Sequence, residues 1–217
     1  MEQIPGEELE RYFLRRLPAE TTSSEVLDLL FLVMERKPGA LVMGADSSTV
    51  SVLKEFCSRF ELQMKVVRGE KRSLLDRLLG RDTRFFRDCV FLAWDENRFD
   101  ILEAEDGKFC ETTDRAAGNF LGYPESAVEY YVEKTVDGPI GADTEELVEE
   151  MIEDGVLDDD DRVCLELLSY VPRPEEEEVL EAVREGRERR AMLKELDSYR
   201  DVSVGSYYLK RVCGEKH

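Results

Sequence analysis

The sequence predicts an α/β protein whose small mixed β-sheet starts with a βαβ unit and is followed by a helical C-terminal part. Three observations predict it. A strand, helix, strand pattern occupies residues 40–67, a short apolar segment stands at 89–94, and from Thr113 onward the apolar spacing is 3.6 residues and stays so.

Each element has its own warrant. Leu9, Tyr12, Phe13 and Leu17, then Val26, Leu29, Leu30 and Val33, recur at helical spacing and predict helices over 7–17 and 23–36. Ser23 or Ser24 would cap the second, and Pro38 with Gly39 would stop it. "ALVMG" at 40–44 is too brief for a helix and reads as a strand; 47–60 places Val52, Leu53, Phe56 and Phe60 on one side of a helix. "LQMKVV" is again strand-like, so the two strands would be parallel. "CVFLAW" reads as a central buried strand, and Asp95-Glu96-Asn97 as a hairpin-type spacer into a further strand, "RFDILEA". Glu105-Asp106-Gly107 would turn into "KFCET", completing an antiparallel addition to the parallel start. Helices are predicted over 113–121, 124–135, 144–153, 160–168 and 175–197, the last with a stripe of Val179, Ala182, Val183, Met192, Leu193 and Leu196. The tail "VSVGSYYLKRV" reads as a short strand or an ordered extension. The expected organisation is an α/β domain over 1–140 with a helical region over 141–217 packed on it, or a single domain.

Charge limits the partners. Fifty acidic and 30 basic side chains give a formal net charge of -20, which disfavours nucleic acid and anionic membranes. No apolar run approaches membrane-spanning length, and the N-terminal stretch lacks a basic region followed by an apolar one, so a cytoplasmic protein is expected. Gln3, Gln63, Asn97 and Asn119 are the only side-chain amides, a composition suited to high temperature.

Little in the chain suggests catalysis. His217 is the only histidine, which removes histidine-dependent triads and histidine metal clusters. Cys57, Cys89, Cys110, Cys164 and Cys213 are scattered with no C-x-x-C pair and read as small buried hydrophobes. Asp158 to Asp161 lack calcium-loop spacing and read as a helix cap. Neither a metal nor a cofactor is expected.

Two segments are candidates for binding a ligand. Gly44, Asp46, Ser47, Ser48 and Thr49 follow a predicted strand and open a helix, where free N–H groups beside hydroxyls would suit an anion; alternatively one of Asp46, Ser47 and Ser48 simply caps the helix. The loop faintly resembles the S-G-G-x-D-S loop of PP-loop ATP pyrophosphatases but lacks the Gly-Gly pair. Residues 65–88 hold eight basic and four acidic side chains, a local +4 against -24 elsewhere. Arg68, Lys71 and Arg72 within it could gather a phosphorylated ligand, or the block could pair with the acidic 143–161 segment inside the chain or across a homo-oligomer.

"GNFLGYPESAVEYYVEK" at 118–134 reads as a corner. Gly122 would take the left-handed conformation, Pro124 would open the next helix, and that helix would bury Ala127, Val128 and Tyr131, leaving Glu129 and Tyr130 nearer solvent. Gly122, Tyr123, Pro124, Glu125 and Val128, with Val171, Pro172, Gly186 and Arg187 downstream, resemble an uncharacterised, largely archaeal family whose members carry G-[FY]-P-E-C-C-V and V-P-C-x-P-x-C motifs. Ser126 and Ala127 stand where that family has paired cysteines, and 173–178 has none, so the resemblance implies a shared scaffold without any thiolate site. It brings no activity with it.

The function expected from the sequence is a non-catalytic binding or regulatory protein for a small anionic or phosphorylated ligand. The alternatives are an enzyme on a nucleotide or phosphoryl substrate that uses the 44–49 loop, and a structural subunit of an assembly.

Overall fold

The computed structural model describes residues 5–67, 88–103, 114–137 and 140–213. Among these it contains a three-stranded sheet and ten α-helices, an α/β fold with a helical C-terminal part. The chain divides into two compact units, one of Arg16–Gly122 and the other of Glu2–Arg15 with Tyr123–His217.

The first unit holds α2 (Ser23–Val33), β1 (Gly39–Ala45), α3 (Ser47–Phe60), β2 (Gln63–Val67), β3 (Asp88–Ala93), α4 (Asp100–Glu103) and α5 (Asp114–Leu121). The strand order is β1-β3-β2, and β3 pairs antiparallel with both neighbours. β1 and β2 therefore run in the same direction, as a βαβ unit requires, but they are not neighbours. β3 lies between them, so every pairing in this sheet is antiparallel and the expected parallel pair is absent from it. Val90, Phe91, Leu92 and Ala93 are all buried, and because successive strand residues point to opposite faces, both faces of β3 are covered. Phe91 meets Phe120 of α5 edge to face at 5.2 Å, and Phe99 stacks on Phe120 at 5.6 Å.

The segment "RFDILEA" (98–104), expected as a strand, is helical over its described residues 98–103. Asp95 accepts a hydrogen bond from the Asn97 N–H at 2.9 Å, capping a 3-10 turn over Glu96–Phe99 that leads into α4. Residues 105–112, where a further turn and strand are expected, lie outside the described residues.

α2 begins one residue earlier than its predicted caps. Thr22 accepts from the Glu25 N–H while the Glu25 carboxylate accepts from the Thr22 N–H, a complete capping box. Its C-terminus closes with Glu35 N–H to Leu32 O at 2.9 Å and Arg36 N–H to Phe31 O at 2.8 Å. That pattern places Glu35 in the left-handed region, φ 57°.

The second unit contains α1 (Gly6–Glu10), continued by a π turn over Arg11–Arg16, and α6 (Glu125–Asp137), α7 (Ala142–Glu153), α8 (Asp159–Leu165), α9 (Glu176–Arg200) and α10 (Val204–Cys213). α9 is the spine and packs against α7, α8 and α10. Its stripe is close to the predicted one: Val179, Ala182, Val183, Leu193 and Leu196 are buried, and Met192 is half-buried. Val179 and Val183 join Val148, Met151 and Leu157 in one cluster. Gly186 lies in the same stripe because a Cβ there would meet Cys164 O at 2.3 Å, so only glycine lets α8 approach.

The tail is a helix, α10, where a strand or extension was expected. The Asp197 carboxylate accepts from the backbone N–H groups of Gly205 at 2.7 Å and Ser206 at 2.6 Å, satisfying the helix start from a neighbouring element. The Tyr208 hydroxyl, buried, donates to Phe13 O at 2.6 Å and ties α10 to the N-terminal turn. Among the described residues no helix is long and apolar enough to cross a membrane.

Candidate functional site

The predicted loop is real in its local geometry. Gly44, at φ 69°, lies between Met43, which pairs with Cys89, and Ala45, which pairs with Asp88; the register shifts there, so Gly44 makes a β-bulge at the end of β1. Asp46 caps α3. Its carboxylate accepts from the Thr49 N–H at 2.9 Å and the Thr49 hydroxyl at 3.0 Å. Those two bonds, with a lesser one from the Ser48 backbone, hold the Asp46 carboxyl below its ordinary value.

Two hydroxyls of the loop also reach Glu20. The Ser48 hydroxyl donates to Glu20 Oε1 at 3.2 Å, and the Thr49 hydroxyl lies 3.5 Å from Glu20 Oε2. Glu25 Oε1 accepts from the Met43 N–H at 2.8 Å at the end of the same strand. Ser47 is exposed. Three carboxylates, Glu20, Glu25 and Asp46, thus bond to the loop and the strand that enters it. Arg68, Lys71 and Arg72, the cations expected to complete an anion site, lie outside the described residues, as does most of the basic 65–88 block.

The acidic 143–161 segment finds cations within its own unit. Lys134 pairs with Asp143, Arg162 with Glu145 and Glu149, Arg190 with Asp160, and Arg187 with Asp161. Asp158 and Asp161 form a capping box at the start of α8, the role expected for the aspartate run. Among the described residues no group of three or more His, Cys, Asp or Glu is placed to hold a metal ion.

The thiols of Cys57, Cys89 and Cys164 are held protonated. Burial pushes Cys57 up to about 12 and raises Cys89 and Cys164 as well.

At the corner, Gly122 has φ 75°, as expected, and a Cβ there would also strike the Pro38 ring at 2.5 Å. The expected burial of the tyrosine pair is reversed: Tyr130 is 3% exposed and Tyr131 is half-buried. The two stretches that carry the family resemblance meet within the second unit. The Ser126 hydroxyl donates to Glu178 Oε2 at 2.6 Å, and Tyr123 packs on Tyr170 with ring centroids 5.4 Å apart.

One further feature of the first unit is not legible in the sequence. An open cavity of about 610 Å³ is lined by Glu35, Arg36, Lys37, Pro38 and Trp94. Trp94 follows the buried run of β3, and its indole N–H donates to Leu32 O at 2.8 Å, which fixes the ring. Lys37 is buried and paired with Asp28 at 2.7 Å, their side chains 3% and 10% exposed, so its charge is already neutralised. Arg36 is exposed, and its guanidinium makes no hydrogen bond or ion pair among the described residues. The cavity therefore combines a fixed aromatic wall, an apolar Pro38 and one uncommitted guanidinium beside the exposed Glu35 carboxylate. No short motif announces it, because residues 36 and 94 meet only through the end of α2 and the end of β3. Compared with family models, curated proteins and solved structures, the chain matches none.

Proposed function

We propose that the chain is a non-catalytic binding protein for a small anionic ligand, and that the ligand occupies the cavity of Arg36 and Trp94. The observation that carries this reading is the uncommitted Arg36 guanidinium on the rim of a cavity with a fixed aromatic wall. Ligand pockets commonly combine an apolar lining with a few convergent polar groups in volumes of roughly 300–1,000 Å³.

The 44–49 loop suits an anion less well. Its Thr49 N–H and the Ser48 and Thr49 hydroxyls already have acceptors, and those acceptors are carboxylates that would repel a second negative charge. Catalysis has little support in the same residues: Asp46 is committed to Thr49, and the thiols of Cys57, Cys89 and Cys164 stay protonated.

Calorimetric titration of the whole chain with small anionic metabolites tests the reading. Arg36→Ala should weaken a bound anion about tenfold or more, the scale of a charge-assisted hydrogen bond. The double variant Ser47→Ala, Ser48→Ala should leave affinity unchanged. The reverse pattern would move the site to the loop.

A further inference from the structure

Resting on the binding reading above, we infer that the ligand of this cavity is a planar aromatic ring joined to one anionic group. The chain has a single tryptophan, and it lines the cavity. The polar edge of its indole is taken by Leu32 O, so what remains for a ligand is carbon surface, which favours another ring or an apolar group. Pro38 adds a second apolar wall.

The number of anionic groups follows from the charges. Of the two cations in the lining, Lys37 is neutralised by Asp28 and only Arg36 is available. Glu35, exposed beside it, disfavours a second negative group and offers an acceptor to a ring N–H or O–H. A bare inorganic anion would meet Arg36 but leave the Trp94 and Pro38 surface uncovered. A ring carrying one phosphomonoester or carboxylate uses both halves of the site. Nucleoside monophosphates and aromatic carboxylates share this chemistry.

Because Trp94 is the only tryptophan, its fluorescence, excited at about 295 nm, reports on this cavity alone. The full chain is titrated with AMP, phenylacetate and ribose 5-phosphate, followed by fluorescence and by calorimetry. At least one of AMP and phenylacetate should change Trp94 emission saturably, and which one does so names the source of the ring. Ribose 5-phosphate should bind about tenfold more weakly, the scale of one ring stacked on an aromatic side chain. Trp94→Leu should lose a similar factor and Trp94→Phe should retain most of the affinity; circular dichroism checks that both variants fold. Equal, Arg36-dependent binding of ribose 5-phosphate and AMP would overturn the aromatic class and leave the anion-binding reading standing. Ring-bearing probes that bind without changing Trp94 emission would also overturn it. Binding lost in the Ser47, Ser48 double variant and kept in Arg36→Ala would sink both readings, and no heat from any of the three probes would sink the aromatic class.

Discussion

Two buried polar residues make opposite predictions about single substitutions. Lys37 and Asp28 form an ion pair with side chains 3% and 10% exposed, inside a helix end that is otherwise apolar. Removing one partner strands the other charge in a poorly hydrated site, so Lys37→Ala should destabilise the protein by about 3 kcal/mol, measured by urea unfolding. A loss under about 1 kcal/mol would show that Asp28 finds water or another partner. Tyr130 presents the reverse case. Its hydroxyl is buried and has no hydrogen-bond partner among the described residues, an arrangement that costs about 1–3 kcal/mol relative to a satisfied group. Tyr130→Phe deletes that hydroxyl without opening a large cavity and should leave the melting temperature unchanged or higher. A clear drop in melting temperature would mean that the hydroxyl is bound to something, such as an ordered water. The sequence had placed Tyr131 inside and Tyr130 outside. Both readings satisfy a 3.6-residue period, so spacing alone does not choose between adjacent tyrosines.

Helix ends are where this chain departs from the cheapest local solution. Glu35, Glu61 and Asp201 are the described non-glycine residues with positive φ, at 57°, 56° and 52°. All three stand at helix C-termini, where glycine avoids the left-handed penalty and where the helix dipole disfavours a negative charge. Glu61 closes α3, is exposed, and lines no described cavity. Glu61→Gly should therefore raise stability by about 1 kcal/mol, read as a higher midpoint in urea with an unchanged slope. A lower midpoint would mean that the gain in unfolded-state entropy outweighs the strain relieved. The elements that sequence patterns revealed are those whose cause is local. The α9 stripe, the Asp46 cap, the Asp158 cap and the turn at Gly122 follow from spacing and capping chemistry within a few residues. The elements that were missed depend on distant residues. α10 begins on the Asp197 carboxylate and packs through Gly205, where a Cβ would lie 1.9 Å from Leu193 O. β3 separates β1 from β2 although both flanking strands precede it in the chain. The Arg36 and Trp94 cavity belongs to this second group, since neither residue carries a signal until β3 brings them together.

At the scale of the whole molecule, charge and ion pairing pull stability in opposite directions with salt. The chain carries a formal net charge of -20. In the 143–161 segment, five of eleven acidic side chains, Asp143, Glu145, Glu149, Asp160 and Asp161, are ion-paired with described cations. Except for Asp161, the carboxylates in these pairs are largely exposed, and exposed pairs contribute about 0–1 kcal/mol each, so screening them removes little. The unpaired acidic groups repel one another over distances comparable to the Debye length, about 30 Å at 0.01 M salt and about 10 Å at 0.1 M. Repulsion should therefore dominate at low ionic strength, and added salt should stabilise the fold. The melting temperature is expected to rise by several degrees as sodium chloride goes from about 10 mM to about 300 mM, most of the rise coming below about 100 mM, where the screening length shrinks fastest. Differential scanning calorimetry across that range decides it. A melting temperature that falls with salt would show that the ion pairs of the second unit outweigh the net charge, and that this acidity holds the fold together more than it strains it.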